Sequence, residues 1–225
     1  DVWAGAVLGA VVRYNGSTWT AVNSSSTTYI WGLWGTSASE IWMTDTNNVR
    51  RWNGSTFAPV SFPGVFSREA LWLNSPSNIW VMGEQGFILR YDGGTWNSYR
   101  SGTIQDLQAI WGSDENSLWA VGTAGTIVHR VGRFWEVVAS STTASLKGVW
   151  GSAANNVWAV GNTGTIVRYD GNTWGPITSG TAQPLNGVWG SAANDVWAVG
   201  EQGAILHWNG TTWAPSASPT TLSLR

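Results

Sequence analysis

Six basic residues recur at one place in a repeated pattern: Arg13, Arg51, Arg90, His129, Arg168 and His207. Six cationic groups at equivalent positions could grip an acidic ligand. Each stem could equally lie over a neighbouring aromatic ring, or its charge could pair with an adjacent repeat. The next residue is aromatic in five of the copies: Tyr14, Trp52, Tyr91, Tyr169 and Trp208. Rings at a groove mouth can stack on a sugar face. In a sheet the same ring serves as half of a cross-strand aromatic pair. These eleven residues form the candidate ligand-binding set. Covalent chemistry has few means here. The absence of cysteine excludes disulfides, thiolate metal sites and thiol nucleophiles. Two histidines make a histidine-rich metal site improbable. No nucleophile elbow, zincin motif or glycine-rich phosphate loop is present. No catalytic residue, metal ligand or cofactor is assigned, and the chain reads as a non-enzyme.

Charge narrows the partners. The 225 residues carry 11 Lys+Arg against 13 Asp+Glu, a net charge of -2. That balance excludes a broad electrostatic grip on nucleic acid or an anionic membrane. No apolar run approaches the roughly 18 residues of a membrane span. With charged residues at 11%, the polar surface must be mostly Ser, Thr, Asn and Gly. Such a surface suits a neutral sugar better than a charged ligand.

Tryptophan shows which elements must position these residues. One series is Trp34, Trp72, Trp111, Trp150 and Trp189; a second is Trp3, Trp42, Trp80, Trp119, Trp158 and Trp197. A third is Trp19, Phe57, Trp96, Trp135, Trp174 and Trp213, and every spacing is 38 or 39. The series take 16 of the 19 Trp and are expected to be mostly core; Trp31, Trp52 and Trp208 fall outside them. The unit 146–184 reads as four strands, at 148–152, 156–161, 165–170 and 173–177. Its third turn is Asn-Gly or Asp-Gly, the dipeptide of a type I′ hairpin. Four antiparallel strands every 39 residues predict an all-β fold, a six-bladed β-propeller.

The expected blades are about 1–29, 30–68, 69–106, 107–145, 146–184 and 185–218 of a single domain spanning 1–225. Asp1 aligns with Asp195, so the chain is expected to enter at the second strand of blade one. The stretch 219–225 is a candidate ring-closing strand for that blade. The first residues read as an interior cut, in keeping with a tandem array or a larger parent chain.

The stretches VWAVGNTGTIVRYDGNTW (157–174) and VWAVGEQGAILHWNGTTW (196–213) resemble the Trp-rich BNR/Asp-box propeller repeats of bacterial secreted and surface proteins. They are also similar to the propeller repeats of photosystem II assembly factors, a family usually of seven blades. The match departs from a true Asp-box, because Asp170 is followed directly by Gly171. The arginine positions loosely resemble those of six-bladed fucose-binding lectins, while sialidases are similar in fold alone. Blades five and six agree at 13 of 15 positions over 147–161 and 186–200, as recent duplication or deliberate construction would leave them. The favoured reading is a secreted or cell-surface binding module, extracellular or periplasmic, acting as a multivalent lectin-like propeller. The alternatives are a protein-interaction or assembly scaffold, and a designed or duplicated propeller with no evolved ligand. The expected partner is a carbohydrate or a protein.

Overall fold

Short runs of Val, Ile and Trp broken by Gly, Asn and Ser turns build this molecule strand by strand. The computed structural model describes residues 2–61, 63 and 68–225, with backbone alone for residues 68 and 69. Asp1, and with it the expected alignment at the entry point, lies outside the described residues. The fold is a six-bladed β-propeller that divides into two compact units, Asp1–Tyr99 and Arg100–Arg225.

Among the described residues blade one has three strands, β1 (Val2–Gly5), β2 (Val11–Tyr14) and β3 (Trp19–Val22). Blade two holds β4 (Ile30–Ser37), β5 (Glu40–Asp45), β6 (Val49–Trp52) and β7 (Phe57–Val60). Blade three holds β8 (Arg68–Ser75), β9 (Asn78–Gly83), β10 (Phe87–Tyr91) and β11 (Trp96–Arg100). Blade four holds β12 (Leu107–Asp114), β13 (Ser117–Gly122), β14 (Ile127–Val131) and β15 (Phe134–Val138). Blade five holds β16 (Leu146–Ala153), β17 (Asn156–Gly161), β18 (Ile166–Tyr169) and β19 (Trp174–Ile177). Blade six holds β20 (Leu185–Ala192), β21 (Asp195–Gly200), β22 (Ile205–Trp208) and β23 (Trp213–Pro215). Helix among the described residues is limited to three-residue 3-10 turns.

The registers repeat. In every four-stranded blade a first-strand Trp faces a second-strand Trp, as Trp150 faces Trp158 and Trp189 faces Trp197. Within each unit the core lies between successive blades. Trp158 packs with Leu185, Val196 and Leu206, and Trp119 packs with Val157, Ala159 and Val167. Trp42, Trp80, Trp119 and Trp158 are fully buried, as the periodicity predicts. The end members of the series depart from that expectation: Trp19 is 54% exposed, Trp34 43% and Trp189 60%. Inside unit two the reason is visible. The tip of the Trp111 ring closes over Gly151 and that of Trp150 over Gly190, each on the next blade's first strand.

The third turn is not the type I′ hairpin that Asn-Gly predicts. Gly16, Gly54, Gly93, Gly171 and Gly210 have φ near +100°, but the Asn or Asp before each does not have positive φ. Four residues separate the paired positions, as between Tyr14 and Trp19. The first of them caps the loop: Asn15 Oδ1 accepts the N–H of Ser17 and of Thr18, each at 2.9 Å. The dipeptide therefore marks an Asx turn. Blade four lacks the cap, and there pairing runs one residue further, to Val131 and Phe134.

The turn between second and third strands uses two glycines for different reasons. Gly164 needs φ of +68°, while a Cβ on the extended Gly161 would sit 2.0 Å from the Ser145 carbonyl oxygen. Residues 219–225 form no strand. Leu224 N–H donates to the Gly200 carbonyl at 2.9 Å, as Ile30 N–H, opening β4, donates to the Ala6 carbonyl at 3.2 Å. Asn186 Nδ2 also donates to the Leu224 carbonyl at 3.0 Å.

Candidate functional site

The six basic residues lie across from the second-strand tryptophans, as the pairing of Trp158 with Arg168 shows. The Arg168 guanidinium carbon lies 4.9 Å from the Trp158 ring centre, and Arg13, Arg51 and Arg90 lie 5.3, 5.6 and 5.8 Å from Trp3, Trp42 and Trp80. His129 stacks on Trp119 at 3.7 Å and His207 on Trp197 at 4.1 Å. A cation or imidazole over an indole face gains from the ring's negative face and covers apolar area with its stem.

A third residue completes the arrangement, two positions before the tryptophan. Arg168 Nε donates to Asn156 Oδ1 at 2.8 Å, and Arg90 Nε donates to Asn78 Oδ1 at 2.7 Å. Arg51 pairs with Glu40 at 2.7 Å, and His207 Nε2 lies 2.8 Å from Asp195 Oδ1. The same acceptors take the indole N–H of Trp42, Trp80 and Trp197. Sequence reading missed this acceptor, although a polar residue stands two places before each second-strand Trp from Glu40 to Asp195.

Electrostatics follow the partners. Asp195 is held below the usual carboxylate value, first by the Ser191 hydroxyl and then by His207. Burial holds His129 below the usual imidazole value, against a smaller upward pull from Glu136. In blade two Asp45 is raised by burial, but Arg50 Nε at 2.7 Å and the N–H groups of Asn47 and Asn48 outweigh this and bring it down.

The five aromatic candidates divide in two. Tyr14, Tyr91 and Tyr169 each donate a phenolic hydrogen bond to the carbonyl of Gly16, Gly93 or Gly171, at 3.0, 2.9 and 2.9 Å. Trp52 and Trp208 are buried, at 8% and 6% exposure. Four of the five have a ring contact with the preceding blade's tryptophan: Trp3 with Trp52, Trp42 with Tyr91, Trp119 with Tyr169, and Trp158 with Trp208. Each basic residue is thus engaged inside its own blade, and these aromatic residues fill the seam to the blade before.

Two of them also line open clefts. Trp208 and Trp213 border a cleft of about 360 Å³ with Ile177, Thr178, Thr211 and Thr212. Arg51 and Trp52 border one of about 410 Å³ with Asn53, Ala58, Pro59 and Val60. Among the described residues no group of three His, Asp or Glu side chains is placed to hold a metal ion. No helix among them is long and apolar enough to cross a membrane.

No protein-family model matches the chain, and no curated protein matches it. Solved structures do. YCF48 bound to a D1 peptide is 17% identical, with TM-score 0.74 over 96% of this chain and 77% of that one. YCF48 from Cyanidioschyzon merolae is 16% identical, with TM-score 0.75 over 97% of this chain and 82% of that one. U3-55K is 6% identical, with TM-score 0.81 over 98% of this chain and 78% of that one. At such identities the likeness establishes the β-propeller fold, which this chain builds from six blades.

Proposed function

We propose that this chain is a non-catalytic propeller that binds a protein partner, a scaffold for an extended polypeptide segment. The observation that carries the reading is the likeness, over 96% of the chain, to a propeller solved with a peptide bound. The interior of the repeats supports it. The basic residues that would make a ring of catalytic or anion-binding groups are stacked on tryptophans, and Arg51, Arg90, Arg168 and His207 are also hydrogen-bonded within their blades. Selection from a displayed library of random peptides tests the reading. The expected result is an enriched sequence family whose synthetic member binds the purified chain in calorimetry. No enrichment, alongside saccharide hits on a glycan array, would overturn it.

A second reading has its own observation. The clefts at Trp52 and Trp208 border a largely buried indole with hydroxyl and amide groups, the surroundings that suit a neutral sugar. A lectin of this kind would hold several weak sites and gain strength by avidity. Titration with a monovalent saccharide should then give more than one site per chain, and a single tight site would count against it.

A further inference from the structure

We propose that the Asn-Gly turns at Asn15, Asn53 and Asn209 are sites of spontaneous modification, where the folded turn converts its asparagine to aspartate. The co-reactant is water. Conversion needs no partner, so it stands apart from the protein-binding reading.

The three turns share one geometry. Asn15 Oδ1 accepts the N–H of Ser17 and of Thr18. Asn53 Oδ1 accepts those of Ser55 and Thr56 at 3.0 and 2.9 Å, and Asn209 Oδ1 those of Thr211 and Thr212, both at 3.0 Å. The Ser55 and Thr211 hydroxyls donate to the same oxygens at 3.0 and 2.8 Å. All three asparagines and the glycines after them are exposed. A Cβ added at Gly16 or Gly54 would meet nothing within 4 Å, so the space beside the turn is open to water.

The backbone nitrogen of the glycine, which no side chain crowds, loses its proton and attacks the asparagine Cγ. A Cγ–N bond forms, the Cγ–Nδ2 bond breaks and ammonia leaves, giving a five-membered succinimide. Negative charge gathers on Oδ1 during the attack, where two main-chain N–H groups already point. Donors set in advance at a developing oxyanion lower its cost. Water then opens the ring. Entry at Cγ breaks the new bond and gives aspartate. Entry at the main-chain carbonyl gives isoaspartate and lengthens the backbone by a carbon. The donors on Oδ1 activate Cγ, so aspartate is the favoured product.

The molecule already holds the product. Blades three and five carry Asp92-Gly93 and Asp170-Gly171 at this place. Asp92 Oδ1 accepts the N–H of Gly94 and Thr95 at 3.0 and 2.8 Å, and Asp170 Oδ1 those of Asn172 and Thr173, both at 2.9 Å. Aspartate in place of Asn15, Asn53 or Asn209 therefore keeps the cap. Three conversions, one charge each, take the net charge from -2 to -5. Asn53 and Gly54 border the cleft at Trp52, so one new carboxylate joins Arg51 there. A fourth Asn-Gly, Asn186-Gly187, lies within β20, with Gly187 held in the ladder opposite Val199. Its Oδ1 accepts from Lys147 Nζ, and its leaving group Nδ2 donates to Ser223 Oγ at 3.2 Å and to the Leu224 carbonyl. The same dipeptide is thereby held from reaction.

The test is to incubate the purified chain in warm neutral buffer, digest it and map the peptides by mass spectrometry, with aspartate and isoaspartate separated by chromatography. Conversion is expected at Asn15, Asn53 and Asn209, at least about tenfold faster than at Asn186. The rate should rise with pH, because the attacking nitrogen must lose its proton. The synthetic peptide VRYNGSTWT, residues 12–20, supplies the unstructured comparison. The folded chain should give a ratio of aspartate to isoaspartate several-fold higher than the peptide gives. The triple variant Asn15→Asp, Asn53→Asp, Asn209→Asp should fold and melt within a few degrees of the unaltered chain. Turns that stay unconverted, Asn186 reacting as fast as they do, or the peptide's product ratio in the folded chain would overturn the proposal. So would a triple variant that fails to fold, since the turn would then reject its own product.

Discussion

Blades one and five use nearly the same second strand, VWAG against VWAV, in the same register against the third strand. Their fates differ. Trp158 is fully enclosed between β16, β18 and the blade that follows, whereas Trp3 is half-buried and Val2 exposed. The residue types and local pairing are shared, so burial of a repeat residue is set by the strands beside it. In a repeat protein the interface with the neighbour supplies much of the stability that a single repeat lacks.

The largest test of that contrast is truncation of the paired tryptophans. Trp158→Ala should cost about 3–5 kcal/mol, the range for a buried large aromatic. Trp3→Ala should cost roughly half as much, since less of its surface leaves water. Denaturant midpoints at unchanged slope would measure both, and equal losses would erase the contrast.

Next in size is the crowded glycine. Gly161→Ala drives a Cβ toward the Ser145 carbonyl and should destabilise by about 1–3 kcal/mol. Ala6→Gly, at the equivalent position of blade one, should change stability by about 1 kcal/mol or less. Removing the stacked cation comes third. Arg168→Ala gives up the contact with Trp158 and the bond to Asn156, for about 1 kcal/mol in thermal or chemical melts.

The smallest effects are in pH. Blade four carries His129 where blades one and five carry arginine. Burial favours the neutral ring, so its folded value lies below 6.5. The associated stability is present above 6.5 and is lost as pH falls through 6.5 toward the folded value, because the unfolded chain takes up the proton first. His129→Gln should flatten that part of the stability profile.

The third turns give the second pH contrast. Asp170 is held low by the N–H groups of Thr173 and Asn172, and Asp92 is brought to about 2 chiefly by those of Thr95 and Gly94. Their contributions persist above 3.8 and fade as pH drops through the folded values. Asn15 caps the same turn in blade one without titrating, so the blade-one turn should stay constant while the others loosen. Carboxyl chemical shifts followed down to pH 1.5 would show it.

The sequence made the blades legible because one period governs strands, turns and tryptophans together. It also placed Trp158 and its counterparts in the core, since a large ring at the blade period must pack against something. It misread the Asn-Gly turns, because the dipeptide looks alike whether two or four residues close the loop. The candidate set was legible as residue types and not as roles. Arg168, His207 and Tyr169 sit at regular positions whether they meet a ligand or a neighbour. The acceptor two places before each tryptophan is recognisable only when cross-strand register brings it beside the arginine. Trp19, Trp34 and Trp189 share their spacing with buried rings, and sequence does not say which blades stand beside them.

Blades five and six are alike across β16, β17, β20 and β21, down to the same paired tryptophans and the same bulges. During folding β20 is nearly as good a partner for β17 as β16 is. A chain caught with that exchange would hold most of its native hydrogen bonds, loop out about one repeat, and leave another strand without a mate. Near-equal alternatives of this kind are kinetic traps and seeds of strand exchange between molecules. Of the two substitutions that separate the copies, Lys147 for Asn186 lies on the exchanged first strand and Asn156 for Asp195 on the second. Lys147 bonds to Asn186 at 3.1 Å, and Asn156 and Asp195 bind arginine and histidine respectively. The bonds of Asn156 and Asp195 to the third strand survive that exchange, so the first-strand difference, Lys147 against Asn186, is the one that separates the correct pairing from its near-twin.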